Sequence, residues 1–150
     1  MIDFNVYSLQ VDIAVQLARA YPRVRTEDFG AVVVDYPEVS AQVTTETDLG
    51  GGVWVVIDAM FAPEISGHLM PQVAATYATD PQRGVLVATD GLRYGRVAAA
   101  GTGRVYLSIV QRISGETRHV DTVVLDAVRG VLEEARQAMH LLRPILGDLT

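Results

Sequence analysis

Apolar positions recur along this chain in two rhythms, and the alternation between them sets the predicted elements. Leu9, Ile13, Leu17 and Ala20 fall on one stripe at helical spacing, which predicts a first helix from about Ser8 to Tyr21. Ser8 suits the N-cap, and Pro22 closes the helix because the residue before proline avoids the α region. Arg23–Asp28 reads as a charged connector. The short apolar run Ala31–Tyr36 predicts a strand closed by Pro37, and Ala41–Asp48, rich in β-branched residues (Val43, Thr44, Thr45, Thr47), predicts the next. Leu49-Gly50-Gly51-Gly52 supplies a turn into the clearest strand, Val53–Phe61. One of its faces reads Val53, Val55, Ile57, Ala59, Phe61; the other reads Trp54, Val56, Asp58, Met60. A strand apolar on both faces is covered on both sides, so it belongs at the centre of a sheet or against a partner.

In the second half Leu69, Val73 and Tyr77 line up at helical spacing, with Gly67 and Pro71 disturbing the start. This predicts a middle helix at about His68–Ala78, ended by Asp80-Pro81. Gly84–Thr89 and Tyr94–Ala100 read as strands around Asp90-Gly91. The second is expected to pair through Gly101-Thr102-Gly103 with Arg104–Ile113. In that last strand Val105, Leu107, Ile109 and Ile113 form the inner face; Tyr106, Ser108 and Arg112 form a wetter outer one. Asp121–Leu142 carries a continuous apolar stripe (Val124, Val128, Val131, Ala135, Met139, Leu142), with Pro144 as its stop. Asp121 stands near the positive end of the helix dipole and Arg143 near the negative end. No repeat or long linker interrupts the order. The expected architecture is one α+β domain over residues 1–150, an antiparallel sheet of about five strands with three helices.

Composition narrows the function classes. The 150 residues are 49% hydrophobic and 20% charged, as a globular domain is and a disordered chain is not. Net charge is -6, and all twelve basic residues are arginines scattered singly, with no lysine. Nucleic-acid backbones and anionic membrane surfaces both call for clustered positive charge, so neither is an expected partner. Apolar runs such as Ala31–Val34 and Val53–Ile57 fall far short of the roughly 20 residues of a membrane span. Met1–Ser8 carries Asp3 where an export signal would be positive, which points to a cytoplasmic home. The absence of cysteine removes disulfides, thiol catalysis and thiolate metal sites, and agrees with that compartment.

Candidate chemistry is sparse. His68, His119 and His140 share no metal-ligand spacing, so no metal is expected. Gly50-Gly51-Gly52 and Gly101-Thr102-Gly103 lie between strands, whereas phosphate loops run from a strand into a helix N-terminus. Glu133-Glu134 are helix neighbours pointing about 100° apart. No serine occupies a nucleophile elbow. Asp58 interrupts the outer face of the most apolar strand, where a carboxylate needs a partner. What remains is apolar and aromatic: Trp54, Met60 and Phe61 on one strand, Leu69 and Met70 at the middle helix. Trp, Met and aromatic residues are enriched at interface cores, which makes these five the candidate partner-binding residues.

With this pattern laid out, the chain resembles the type III secretion chaperone-like fold, and within it the YbjN-like and CesT-like proteins. Tyr94-Gly95-Arg96-Val97 followed by Gly103-Arg104-Val105-Tyr106-Leu107 is similar to that family's paired strands. The stretch Val120–Leu146, with Leu125, Val128, Leu132, Ala135 and Leu142, is similar to its closing helix. The resemblance spans roughly Ser8 to Leu146 and carries no catalytic signature. It implies a small acidic homodimer, without cofactor or enzymatic activity, that holds an extended or partly unfolded protein segment. Ala31–Tyr36 and Gly84–Thr89 are extra strand candidates relative to the simplest members. Two other readings stand beside it. One is a small-molecule sensor or enzyme domain with a pocket between sheet and last helix, using Asp58, Tyr94 and Arg112. The other is a roadblock-like regulatory dimer, suggested by the run Val85–Gly91.

Overall fold

A computed structural model describes residues 4–26, 31–36, 38–66, 69, 71–72, 85–89, 92–93, 96–97 and 104–146. In chain order these form α1 (Phe4–Ala20), β1 (Val24–Thr26), β2 (Val32–Asp35), β3 (Ser40–Thr47) and β4 (Val53–Ser66). Then come β5 (Val85–Thr89), β6 (Leu92–Arg93), β7 (Arg96–Val97), β8 (Arg104–Ser114) and α2 (Val120–Leu146). Six strands make one antiparallel sheet in the order β1-β2-β3-β4-β8-β5, and β6 and β7 pair separately. The expected α+β class and antiparallel sheet are thus present, with the three-residue β1 added at one edge. Two helices, not three, occur among the described residues. Of the expected middle helix, His68–Ala78, only Leu69, Pro71 and Gln72 are described.

Both helices lie on one face of the sheet, because register gathers the most apolar rows there. Val32, Val43, Ile57 and Gln111 stand opposite one another across β2, β3, β4 and β8. The neighbouring row joins Val34, Ala41, Ala59 and Ile109. Onto these rows α2 brings Val124, Val128, Val131, Leu132, Ala135, Ala138 and Leu142, and α1 brings Ile13 and Leu17, forming one buried cluster. α2 packs over β3, β4 and β8, while α1 packs over β1 and β3 and against α2. Leu9 joins the cluster half-buried, whereas Ala20, on the same predicted stripe, is exposed.

Three expectations change. The connector Arg23–Asp28 contains β1: Val24, Arg25 and Thr26 pair with Val34, Val33 and Val32, and the Arg25 Nε donates to Asp35 Oδ2 at 3.3 Å. A strand this short is set by its neighbour and leaves no pattern of its own. Among the described residues β8 is flanked by β4 and β5, and of Tyr94–Ala100 only Arg96–Val97 is described, paired with Leu92–Arg93. β5 is an uncharged run rich in β-branched residues, suited to a sheet. Pro144 does not stop α2, which continues to Leu146. A proline in the final turn removes only the donor to the carbonyl of His140, an exposed residue whose backbone water can serve.

The turn between β2 and β3 is tied to α2 by Glu38, which sits at φ 76°, a left-handed conformation that costs a residue with a Cβ. Its Oε2 accepts from His140 Nε2 at 2.9 Å and lies 3.4 Å from Arg136 Nε. Both pairs are exposed, worth about 0–1 kcal/mol each.

Two outcomes follow for stability. Ile57→Ala, on the helix side of β4, lowers unfolding free energy by about 2–5 kcal/mol in urea titration. Val56→Ala on the opposite side costs under about 1 kcal/mol. Glu38→Gly is less destabilising than Glu38→Ala by about 1 kcal/mol, because glycine accepts the left-handed turn without strain.

Candidate functional site

The face of the sheet turned away from the helices is mixed in character. Alternation along β4 places Trp54, Val56 and Asp58 there. Register adds Glu46, Thr44 and Gln42 from β3 and Ser114, Arg112, Val110 and Ser108 from β8. Trp54, Val56 and Val110 are half-buried, Glu46 and Arg112 exposed, and Asp58 and Ser108 buried. The open part of this face is therefore a band of Trp54, Val56 and Val110 bordered by charge. An apolar centre with a polar rim is the composition of a protein-binding surface.

Trp54 is positioned by the β3–β4 turn. Asp48 accepts from the Gly50 and Gly52 amides through Oδ1, at 2.9 and 2.7 Å, and from Trp54 Nε1 through Oδ2 at 2.9 Å. Gly51 stands at φ 83°, which favours glycine, and a Cβ on Gly52 would fall 2.8 Å from Asp48 Oδ2, so a side chain there would push the carboxylate from its place. The glycine run is thus a hairpin turn wrapped around one carboxylate. Above the indole, the Arg112 guanidinium lies 5.0 Å from the ring centroid and 3.9 Å from Glu46 Oε2. The hydrogen bond from Trp54, followed by those from the glycine amides, lowers the Asp48 pKa below its ordinary value.

The five sequence-predicted residues do not form one surface. Phe61 falls on the helix side and is only 4% exposed, so it belongs to the core: the alternation that carries Trp54 outward carries Phe61 inward. The Met60 backbone pairs with Ser40 and Ser108, and its side chain lies outside the described ones. Leu69 is half-buried, and Met70 lies outside the described residues. Of the rival trio, Asp58 is 5% exposed and buried on this face, Arg112 is engaged with Trp54 and Glu46, and Tyr94 lies outside the described residues. Sequence reasoning missed Asp48 and Glu46 as neighbours of Trp54, and Val110 as part of the same face. Only the Asp48-x-Gly50-x-Gly52-x-Trp54 spacing held a signal for the first of them.

Comparison with family models, curated proteins and solved structures finds no match to this chain.

Two concavities lie elsewhere. A groove of about 660 Å³ runs beside α2, lined by Gln111 of β8 together with Ala127, Gly130, Glu133 and Glu134. A smaller cavity of about 140 Å³ lies between the end of α1 and α2, lined by Tyr21, Tyr36, Arg129 and Leu132. Burial raises the Tyr21 phenol pKa against the opposing pull of Arg129. Among the described residues no cluster of three or more His, Asp or Glu side chains is placed to hold a metal ion, and no helix is long and apolar enough to cross a membrane. On α1, Val11 and Val15 stand one turn apart, each 43% exposed.

Acid titration tests the turn. Because the folded pKa of Asp48 is depressed, its contribution is complete at neutral pH and is lost as pH falls through the folded value, below the ordinary 3.8. Emission from Trp54, the only tryptophan, shows a step in that range, and Asp48→Asn removes it.

Proposed function

We propose that this chain is a non-enzymatic binding module that acts as a small acidic homodimer and holds an extended or partly unfolded protein segment in a chaperone-like manner. The observation that carries this reading is the half-exposed Trp54, Val56 and Val110 band on the side of the sheet where no described helix lies. Both helices cover the other side, so β4 is apolar on two faces and sheathed by helices on one. The order of elements supports the type III secretion chaperone-like reading: a helix, the strands β2, β3 and β4 in sequence, the pair β5 and β8, then a long closing helix. Net charge of -6 supports a client of neutral or basic character, received in the cytoplasm.

The small-molecule reading is favoured by one feature, the groove of about 660 Å³ between α2 and β8, a volume within the range of ligand pockets. Among the described residues its lining contains neither Asp58 nor Arg112, so a ligand there would use Gln111, Glu133 and Glu134 instead.

Light scattering and Trp54 emission test the binding reading together. A dimer that slows aggregation of a heat-unfolded reporter enzyme, with a shift in Trp54 emission on mixing, is the expected outcome. Val56→Asp, which places a charge in the apolar band, weakens that protection at least tenfold while leaving the melting transition in place. A strictly monomeric chain whose Trp54 emission ignores unfolded protein would remove the proposal.

A further inference from the structure

One flank of α2 is built like a helix-packing seam. Val123, Ala127, Gly130, Glu134, Gln137 and Leu141 recur at steps of four and three, the spacing that keeps one stripe of a helix against a neighbouring helix. The first five line the groove of about 660 Å³ beside Gln111. Val123 and Leu141, at the two ends of the line, are 36% and 52% exposed. α1 meets α2 on a different flank, where Tyr21 lies with Arg129 and Leu132. At the centre of the seam stands Gly130. A glycine in mid-helix weakens the helix relative to alanine. The backbone does not call for it, since Gly130 is not at positive φ. Packing within the chain does not call for it either: outside its own helical turn, no described atom lies within 4 Å of the place a Cβ would take. A body packed closely over Gly130 from outside the chain supplies the missing reason.

We propose that this flank of α2 docks an amphipathic helix of a partner protein, one with small or apolar residues along its contact line and arginine or lysine beside it. The heptad steps select a helix as occupant. From Val123 to Leu141 the seam is about 27 Å long at about 1.5 Å per residue, room for about five turns of a partner. Val123 and Leu141 offer apolar contacts at either end, and Ala127 and Gly130 let two helix backbones come close between them. Charge selects a basic partner. Asp126, Glu133 and Glu134 line the groove against one cation, Arg129, which donates a hydrogen bond to the Tyr21 phenol on the other flank. Glu134 is only 7% exposed, so its carboxylate belongs to the inner wall of the groove. A second copy of α2 would bring the same excess of negative charge to the same groove, which disfavours self-pairing here. Gln111 pairs with Ile57, which faces the helices, so this surface and the Trp54 band lie on opposite sides of the sheet. The inference therefore goes beyond the binding reading above and does not rest on it.

The test uses a fluorescently labelled synthetic peptide of about 20 residues, long enough to span the seam as a helix. It carries leucine and alanine at heptad contact positions and arginine beside them, and its anisotropy is read as the full chain is added. Binding at micromolar concentration that weakens as salt is raised is the expected result. Gly130→Leu, whose side chain enters the groove, weakens binding at least tenfold with the melting transition intact. Gly130→Ala melts at a higher temperature than the unaltered chain and yet binds the peptide several-fold more weakly, a pairing that a merely structural glycine would not give. The same peptide with two central prolines, which cannot form the helix, is expected not to bind. Equal binding of the proline peptide, equal binding by G130L, or no binding at micromolar concentration overturns the proposal. Val56→Asp leaves peptide binding unchanged, and G130L leaves protection of the unfolded reporter enzyme unchanged, so this inference and the Trp54 reading fail separately.

Discussion

The governing constraint is that β4 is apolar on two sides while the helices reach one. Val55, Ile57, Ala59 and Phe61 are sealed under α1 and α2, and the sealing is complete because register stacks them with Val43 and Ala41 on β3 and Ile113 and Ile109 on β8. The same strict alternation turns Trp54 and Val56 to the opposite face, where no described helix lies. The inward rows were closed with aliphatic residues, and the outward rows were tempered with Thr44, Glu46 and Arg112. A surface of that kind stays hydrated when alone and loses little on being covered, which is the balance a reversible binder requires.

Trp54 shows how that balance is kept. Its indole N–H is taken by Asp48 and its ring is capped by Arg112, so the largest outward apolar group is held in a fixed pose without being buried. Asp48 does this while closing the turn through two glycine amides. One carboxylate thus fixes the hairpin and the aromatic together, and an aromatic held rigid loses little conformational freedom on contact with a partner.

Much of the frame was legible before any coordinates. The periodic stripe of α2, the Ile13 and Leu17 stripe of α1, and the double-faced β4 each wrote a long, regular pattern. The missed parts were local and relational. β1 is three residues whose strand state comes from β2, and β5 finds β8 across a long intervening segment that no periodicity marks. Phe61 was misread as surface because it adjoins Trp54 and Met60 in sequence, although its parity with Val55 and Ile57 placed it inside. The neighbours of Trp54 come from three different strands or turns. Such a set becomes visible only when register is known, since a slip of one residue would exchange every partner.

The closing helix also bears on how the chain is made. Residues 32–61 supply the apolar rows of β2, β3 and β4, but the cover for them includes Val124, Leu132 and Leu142, which leave the ribosome only after roughly 60–80 further residues, at about 5–20 residues per second. For several seconds the nascent chain carries apolar strands with α1 as their one described helical cover. On this topology the chain itself needs shelter during its own synthesis.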